Sequence, residues 1–353
     1  MLAASVASAQ TNNQENLSPL KLDQDPPSSR NRFGLSYRMG FNISARFKNL
    51  GGFAPANRRL TPSGDRWNYD NGYNLSDDPG TPPGMTWYWG YAGEPSKAAQ
   101  APGDGFLYLS RSSSLEDGVS SGNSDDPQHG LEFTYSRELG QLGHARWGLE
   151  GAFNYMSLTI KDSRTLQETV TTQTDAYSLM GTMIPDAPYY GPKGAPTPGG
   201  PNQPVISDTP DPQRSTTTTG TAIISGQRKI DADVYGFRIG PYLEFPLSQK
   251  LSLSLNGGLA LASVNSTFKF NEVVTGSGAP PNSGGAGSGS HSDLLIGGYA
   301  GANFTYSFSQ SWSAFAGAQY QNVGRFSQRV GARQADLDFG KSIFVTVGAG
   351  FSF

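Results

Sequence analysis

Few side chains in this 353-residue sequence invite a search for chemistry: three histidines, a scatter of aspartates and no cysteine. His291 is followed by Ser292 and Asp293. Those are the residue types of a nucleophile relay, but a relay needs a hydrogen-bond geometry that adjacency does not supply. His129 opens an alternating apolar segment and His144 sits in a short turn. Eight aspartates (Asp65, Asp70, Asp77, Asp78, Asp104, Asp117, Asp125 and Asp126) crowd one long polar stretch. Hard carboxylates can hold Ca²⁺ or bridge through it to phosphates, yet the spacing of Asp65, Asp70 and Asp77 fits no calcium loop. Phosphate loop, zinc signature and dinucleotide fingerprint are all missing. The absence of cysteine excludes disulfides and thiolate metal sites. A net charge of −3 gives no broad basic surface for nucleic acid. The expectation is a protein that is not an enzyme and carries no cofactor or metal.

Charge does recur in a pattern, and the pattern points to the elements that position it. From Phe33 the odd positions read Phe33, Leu35, Tyr37, Met39, Phe41, Ile43, Ala45, Phe47, while the even ones include Arg38, Arg46 and Lys48. Period-two alternation marks a strand with one apolar and one polar face. Seven further segments repeat it: Leu131 to Leu139, Ala145 to Tyr155, Tyr235 to Leu247, Leu251 to Leu261, Leu294 to Phe308, Trp312 to Tyr320 and Ile343 to Phe353. The polar faces collect Arg38, Arg46, Glu132, Glu138, Arg146, Glu150, Arg238 and Glu244; Arg137 is the one charge on an apolar face, one step from a turn. A Lys or Arg facing lipid at mid-membrane costs roughly 2–4 kcal/mol, so an apolar face this free of charge fits lipid. Four arginines against four glutamates fit a narrow interior, because an unpaired buried charge is expensive.

The connections alternate in length. Residues 140–144, 248–250 and 309–311 are short turns; residues 49–128, 161–231, 271–292 and 324–340 are long and polar. Short turns on one rim and long loops on the other describe an outer-membrane barrel with periplasmic turns and both termini in the periplasm. The fold class is therefore all-β: a closed antiparallel transmembrane barrel of about eight strands. Ten strands are reached if Thr86–Tyr91 and Phe106–Leu109 also span; their shortness favours an extracellular hairpin instead, and Trp87, Trp89 and Tyr91 are its candidate contact residues. Residues 1–9 end in Ala7-Ser8-Ala9 like the tail of a signal peptide. Residues 10–32 read as a periplasmic tail and 33–353 as the barrel.

The last strand, residues 343–353, alternates and ends in Phe351-Ser-Phe353. It resembles the C-terminal signature that the barrel-assembly machinery recognises, and the layout resembles the small barrels of the outer-membrane protein A and X type. This chain departs in its much longer first and second loops. The resemblance implies a bacterial outer membrane, contact with its lipids including lipopolysaccharide, and an extracellular ligand or protein as partner. The expected role is a structural or interaction scaffold. A narrow porin-like channel is the alternative, and a lipid-modifying enzyme built on the rim histidines is a more distant one.

Overall fold

The computed structural model describes residues 30–55, 59–61, 64–76, 82–115, 117–123, 127–191, 204–276, 278–280 and 283–353. The signal-like segment 1–9, nearly all of the tail, Asp77, Asp78, Asp125, Asp126 and the side chain of Asp65 lie outside the described residues.

Eight strands form a ring: β1 (Asn31–Phe41), β2 (Gln128–Leu142), β3 (Ala145–Asp162), β4 (Thr216–Pro246), β5 (Leu251–Gly276), β6 (Gly284–Ser307), β7 (Trp312–Asn322) and β8 (Ser342–Ser352). Each is antiparallel to its neighbours in sequence, and β8 returns to β1 with Phe33 opposite Phe351. The hydrogen-bonded sheet counts ten strands, but Leu166–Ser178 and Phe106–Ser114 add to the upper part of β4, outside the ring that β3 and β4 close. Among the described residues, eight strands make up the ring. The expected hairpin between Thr86–Tyr91 and Phe106–Leu109 does not form: Trp89–Tyr91 pairs with Gly72–Ser76 instead. Two of the short turns are closed alike. Ser248 Oγ accepts from Leu251 N at 3.1 Å and Ser309 Oγ from Trp312 N at 3.0 Å, the local bonding that makes Ser a turn residue.

Strands β2 to β6, of 15 to 31 residues, are longer than a membrane crossing of about 9–11 residues needs, and the polarity of β3 and β4 inverts along their length. On β4 the outward residues Leu243, Ile239, Phe237 and Tyr235 are exposed and apolar. Beyond them the outward positions become Asp233, Asp231 and Lys229, while the inward positions become the buried Val234, Ala232 and Ile230. β3 inverts at the same level: Phe153 and Tyr155 face out, then Met156, Leu158 and Ile160 face in. Lipid touches the outside below this level and water above it, so the apolar face must change sides. Tyr155 and Tyr235, paired in register with rings 5.2 Å apart, mark the boundary, where amphipathic rings belong. The expected loop 271–292 is thus largely strand, and so are Leu166–Ser178 and the stretch 216–231 within the expected loop 161–231; the wall they extend is polar on its outer face because water meets it there.

The first strand is shorter than its alternation suggests. Asn42 takes φ 60°, a left-handed conformation that Asn tolerates. Beyond it Ile43, Ala45 and Phe47 are buried, not lipid-facing. Period two reports that one face is apolar, not what covers it. Ser44–Leu50 joins a four-stranded sheet with Gly118–Asn123, Arg333–Asp338 and Arg325–Val330. This sheet packs on the inward faces of upper β3, β4 and β5 through Phe47, Phe326, Leu337, Ile160, Val234, Val264 and Phe268. Phe47 and Phe268 stack at 5.7 Å. The upper barrel is therefore stoppered by a hydrophobic core.

Candidate functional site

The lumen below that stopper holds most of the charged residues expected there. Arg38, Glu132 and Arg238 are almost wholly buried. Register explains why they meet: β1, β2, β3 and β4 are successive, and Ser36 lies opposite Glu132, Ala152 opposite Arg238. One oxygen of Glu132 accepts from Arg38 Nη1, the other from Arg238 Nη2 at 2.8 Å. Arg238 Nη1 donates to Glu150 at 2.6 Å, and Asn256 Nδ2 to the same oxygen at 2.9 Å. Arg38 Nη2 donates to Gln321 at 2.9 Å. Nearer the turns, Glu244 accepts from Arg146 at 3.0 Å and Arg32 at 3.2 Å. Arg32 therefore belongs to β1, not to the tail.

Three expected site assignments change. Arg46 lies past Asn42, on the exposed face of Ser44–Leu50, beside Arg164 and Ser121; the kink removes it from the lumen. Glu138 stays half-buried near the lower rim, next to an irregularity in the β2–β3 register, and takes no ion pair among the described residues. Trp87, Trp89 and Tyr91 are not contact residues, because all three are buried. Trp89 Nε1 donates to the Pro204 carbonyl at 2.9 Å, and its ring lies 4.7 Å from that of Tyr189. With Tyr69, Leu107, Leu109, Tyr177 and Ile206, Trp89 and Tyr91 fill a distal core. Phe351 and Phe353 sit at the turn-side rim, with Phe353 stacked on Phe33 at 5.5 Å.

Sequence reasoning missed the seam where the ionic and apolar layers meet. The Arg38 guanidinium lies over the Phe344 ring and Arg238 faces Tyr299, favourable cation–π placements. It also missed a second ionic cluster, set within the upper part of the stopper core, where Ile224, Ala222 and Val274 lie beyond it on the same strands. Arg228 bonds Glu272 at 2.9 Å and Asp162 at 3.1 Å, and Arg333 reaches Glu272 at 3.4 Å. The signal was available: Arg228 and Glu272 continue the inward parity of Arg238 and Asn256. Close by, Glu168 is buried with neither oxygen hydrogen-bonded. Burial, with the negative charges of Asp117 and Glu272 nearby, pushes its carboxyl up to about 7.

Among the described residues the aspartates do not converge. Asp70 accepts from Ser112 N at 2.7 Å, and Asp104 from Tyr108 Oη at 2.7 Å. His129 bonds Tyr37 on the outer face of the barrel, and the His291 ring lies tilted 5.7 Å from that of Phe326.

A closed ring of strands, an apolar outer band, an ion-paired interior and short turns on one rim define an outer-membrane-type β-barrel. No protein-family model matches the chain, and no curated protein matches it. Among solved structures it is similar to Ail, the attachment invasion locus protein of Yersinia pestis, at 9% identity and TM-score 0.28, over 92% of this chain and 97% of that one. It is similar to the outer membrane protease OmpT of Escherichia coli at 8% identity and TM-score 0.35, over 93% and 98% of the two chains. A Pseudomonas aeruginosa FadL homologue gives 8% identity and TM-score 0.19, over 92% and 90%. Likenesses this low carry no argument about role, and the barrel class rests on the register and the apolar belt.

Proposed function

We propose that this chain is a bacterial outer-membrane protein whose barrel is a closed pedestal for a rigid extracellular β-structure, acting through contact with a partner and not by passing solutes. One observation carries the reading: the lumen is obstructed twice, by the Arg38–Glu132–Arg238–Glu150 network and by the apolar stopper above it. Eight strands leave an interior that side chains can fill. A cavity of about 570 Å³ among Arg32, Arg146, Glu244 and the Ser248 and Ser309 turns is a vestibule on the turn side; the ionic network lies beyond it. The up-and-down layout favours a place beside the small outer-membrane protein A and X type barrels. The terminal Phe351 and Phe353 suit recognition by the barrel-assembly machinery. The reading gives no catalytic role to His129 or His291, whose rings are engaged by Tyr37 and Phe326.

The test is conductance of the purified protein in planar bilayers. The pedestal reading expects a silent membrane, and steady openings of large conductance would overturn it.

A further inference from the structure

The outer wall carries a charge arrangement that the pedestal role does not use. Lys161 on β3 is directly opposite Lys229 on β4, and Lys229 is directly opposite Lys269 on β5. All three share the outward parity of Tyr155 and Tyr235, and Lys161 and Lys269 are exposed. Opposed side chains on neighbouring strands sit about 4.5–5.5 Å apart at Cβ, and like charges there are destabilising. Only the middle lysine forms an ion pair: Lys229 Nζ lies 2.7 Å from Asp231, a carboxylate whose charge Lys269 also feels. Lys161 and Lys269 have no ion pair among the described residues. A row of three cations with one carboxylate among them is unsatisfied as it stands, and an anion shared along the row would satisfy it.

Height decides which anion. The lysines stand six residues beyond Tyr155 and Tyr235. That is about 20 Å along a strand, and about 15 Å above the aromatic boundary at the usual strand tilt. A phospholipid headgroup layer is only about 5–7 Å thick and ends below the row. A bulky saccharide headgroup reaches it. Between boundary and row the outward residues are hydrogen-bonding groups suited to sugar: Ser157 and Thr159 on β3, Asp233 and Asp231 on β4, Ser263, Asn265 and Thr267 on β5. We infer that Lys161, Lys229 and Lys269 form a binding row for phosphate groups on the saccharide headgroup of the outer-leaflet glycolipid. This rests on the outer-membrane reading above, and it adds the residues and the chemical group recognised.

The experiment is calorimetric titration of the full chain in detergent micelles with three probes: lipopolysaccharide, the same lipopolysaccharide with its phosphates removed, and phosphatidylglycerol. Intact lipopolysaccharide is expected to bind the wild type at least about tenfold more tightly than either other probe, given the energy of a Lys near an anionic surface. The triple variant Lys161→Gln, Lys229→Gln, Lys269→Gln is expected to lose that margin. A triple variant that binds intact lipopolysaccharide within twofold of wild type overturns the proposal, as does a wild type indifferent to dephosphorylation. Equal affinity for phosphatidylglycerol overturns the height argument and the proposal with it. If the triple variant does not fold, Lys269→Gln alone, at an exposed position without an ion pair, is read by the same criteria at a smaller loss. Cell fractionation runs in parallel. Recovery away from the outer membrane defeats the localisation on which the row depends, whereas outer-membrane recovery with an indifferent triple variant defeats the row alone.

Discussion

The guanidinium of Arg38 lies 3.8 Å from the centre of the Phe344 ring. That contact joins two regimes: beneath it Arg38 bonds Glu132 and Gln321, and above it Phe344 belongs to the stopper core. Truncating the ring opens a cavity at the seam and removes the cation–π partner. Phe344→Ala is expected to cost about 3–5 kcal/mol, read as a lower denaturant midpoint in micelles. A change below about 1 kcal/mol would mean the two layers are not coupled there.

Glu132 neutralises two buried arginines at once. Glu132→Gln leaves Arg38 and Arg238 facing each other with one carboxylate, Glu150, in reach of Arg238. Breaking a buried pair by removing one partner costs about 3–5 kcal/mol. The companion Arg38→Met, Glu132→Met variant keeps Arg238 paired with Glu150, restores the charge balance and is expected to recover most of that loss. Equal destabilisation in both, measured by denaturant unfolding, would show that packing and not charge sets the cost.

Lipid and water boundaries can be read with single substitutions. Ile239→Arg and Leu259→Arg place a cation in the apolar belt, where the expected cost is roughly 2–4 kcal/mol. Thr267→Arg, above the tyrosine level on the same outer face, is expected to change stability by less than about 0.5 kcal/mol. Refolding into vesicles across a urea series compares them, and similar costs at both heights would misplace the boundary.

Glu168 gives the extracellular portion a pH dependence of predictable sign. Its carboxyl is raised from 4.5 to about 7 by burial and then by Asp117 and Glu272, against the opposing pull of Arg333. The folded state therefore holds a proton that the unfolded chain releases near its ordinary value. Stability falls as pH rises from about 4.5 to 7, and levels off above. Asp336, whose hydrogen bonds and ion pair with Lys48 outweigh its burial, is lowered; it weakens the fold only in stronger acid. Urea midpoints measured between pH 5 and pH 8 are expected to decline in the wild type and stay flatter in Glu168→Gln. Parallel slopes in the two proteins would remove Glu168 from the account.

The kink at Asn42 is a backbone matter. With φ at 60°, Asn42→Gly is expected to be tolerated. Asn42→Val is expected to lose about 1–3 kcal/mol because a β-branched residue is strained there. Denaturant midpoints for the pair decide it, and similar values would argue that the turn adapts.

Much of the barrel was legible because lipid leaves a simple record. Eight apolar faces without mid-belt charge gave strand count, order and the short-turn rim, and Arg38, Glu132, Glu150 and Arg238 converge because parity and register together allow little else. What stayed hidden lies above Tyr155 and Tyr235. There the same period of two continues with its polarity exchanged, so Asp231, Lys229 and Asn271 looked like loop when they are the wet face of a wall. Ile43 and Phe47 misled in the opposite sense: they looked lipid-facing and are core. Trp89 and Tyr91 show the same limit, since an aromatic run has no mark that separates a binding surface from a packed interior. Arg46 needed a single dihedral, at Asn42, to be placed correctly.

The 31 residues of β4 run without interruption of the strand from the turn rim to beyond the stopper, a contour of roughly 100 Å. Partners on both sides hold it in antiparallel register for much of that length. A tug delivered at the far tip would thus load these hydrogen bonds lengthwise and all together, instead of unzipping them one by one. Anything grasped out there is tethered to the cell by a cable built to resist tension, with the bilayer as its anchor plate.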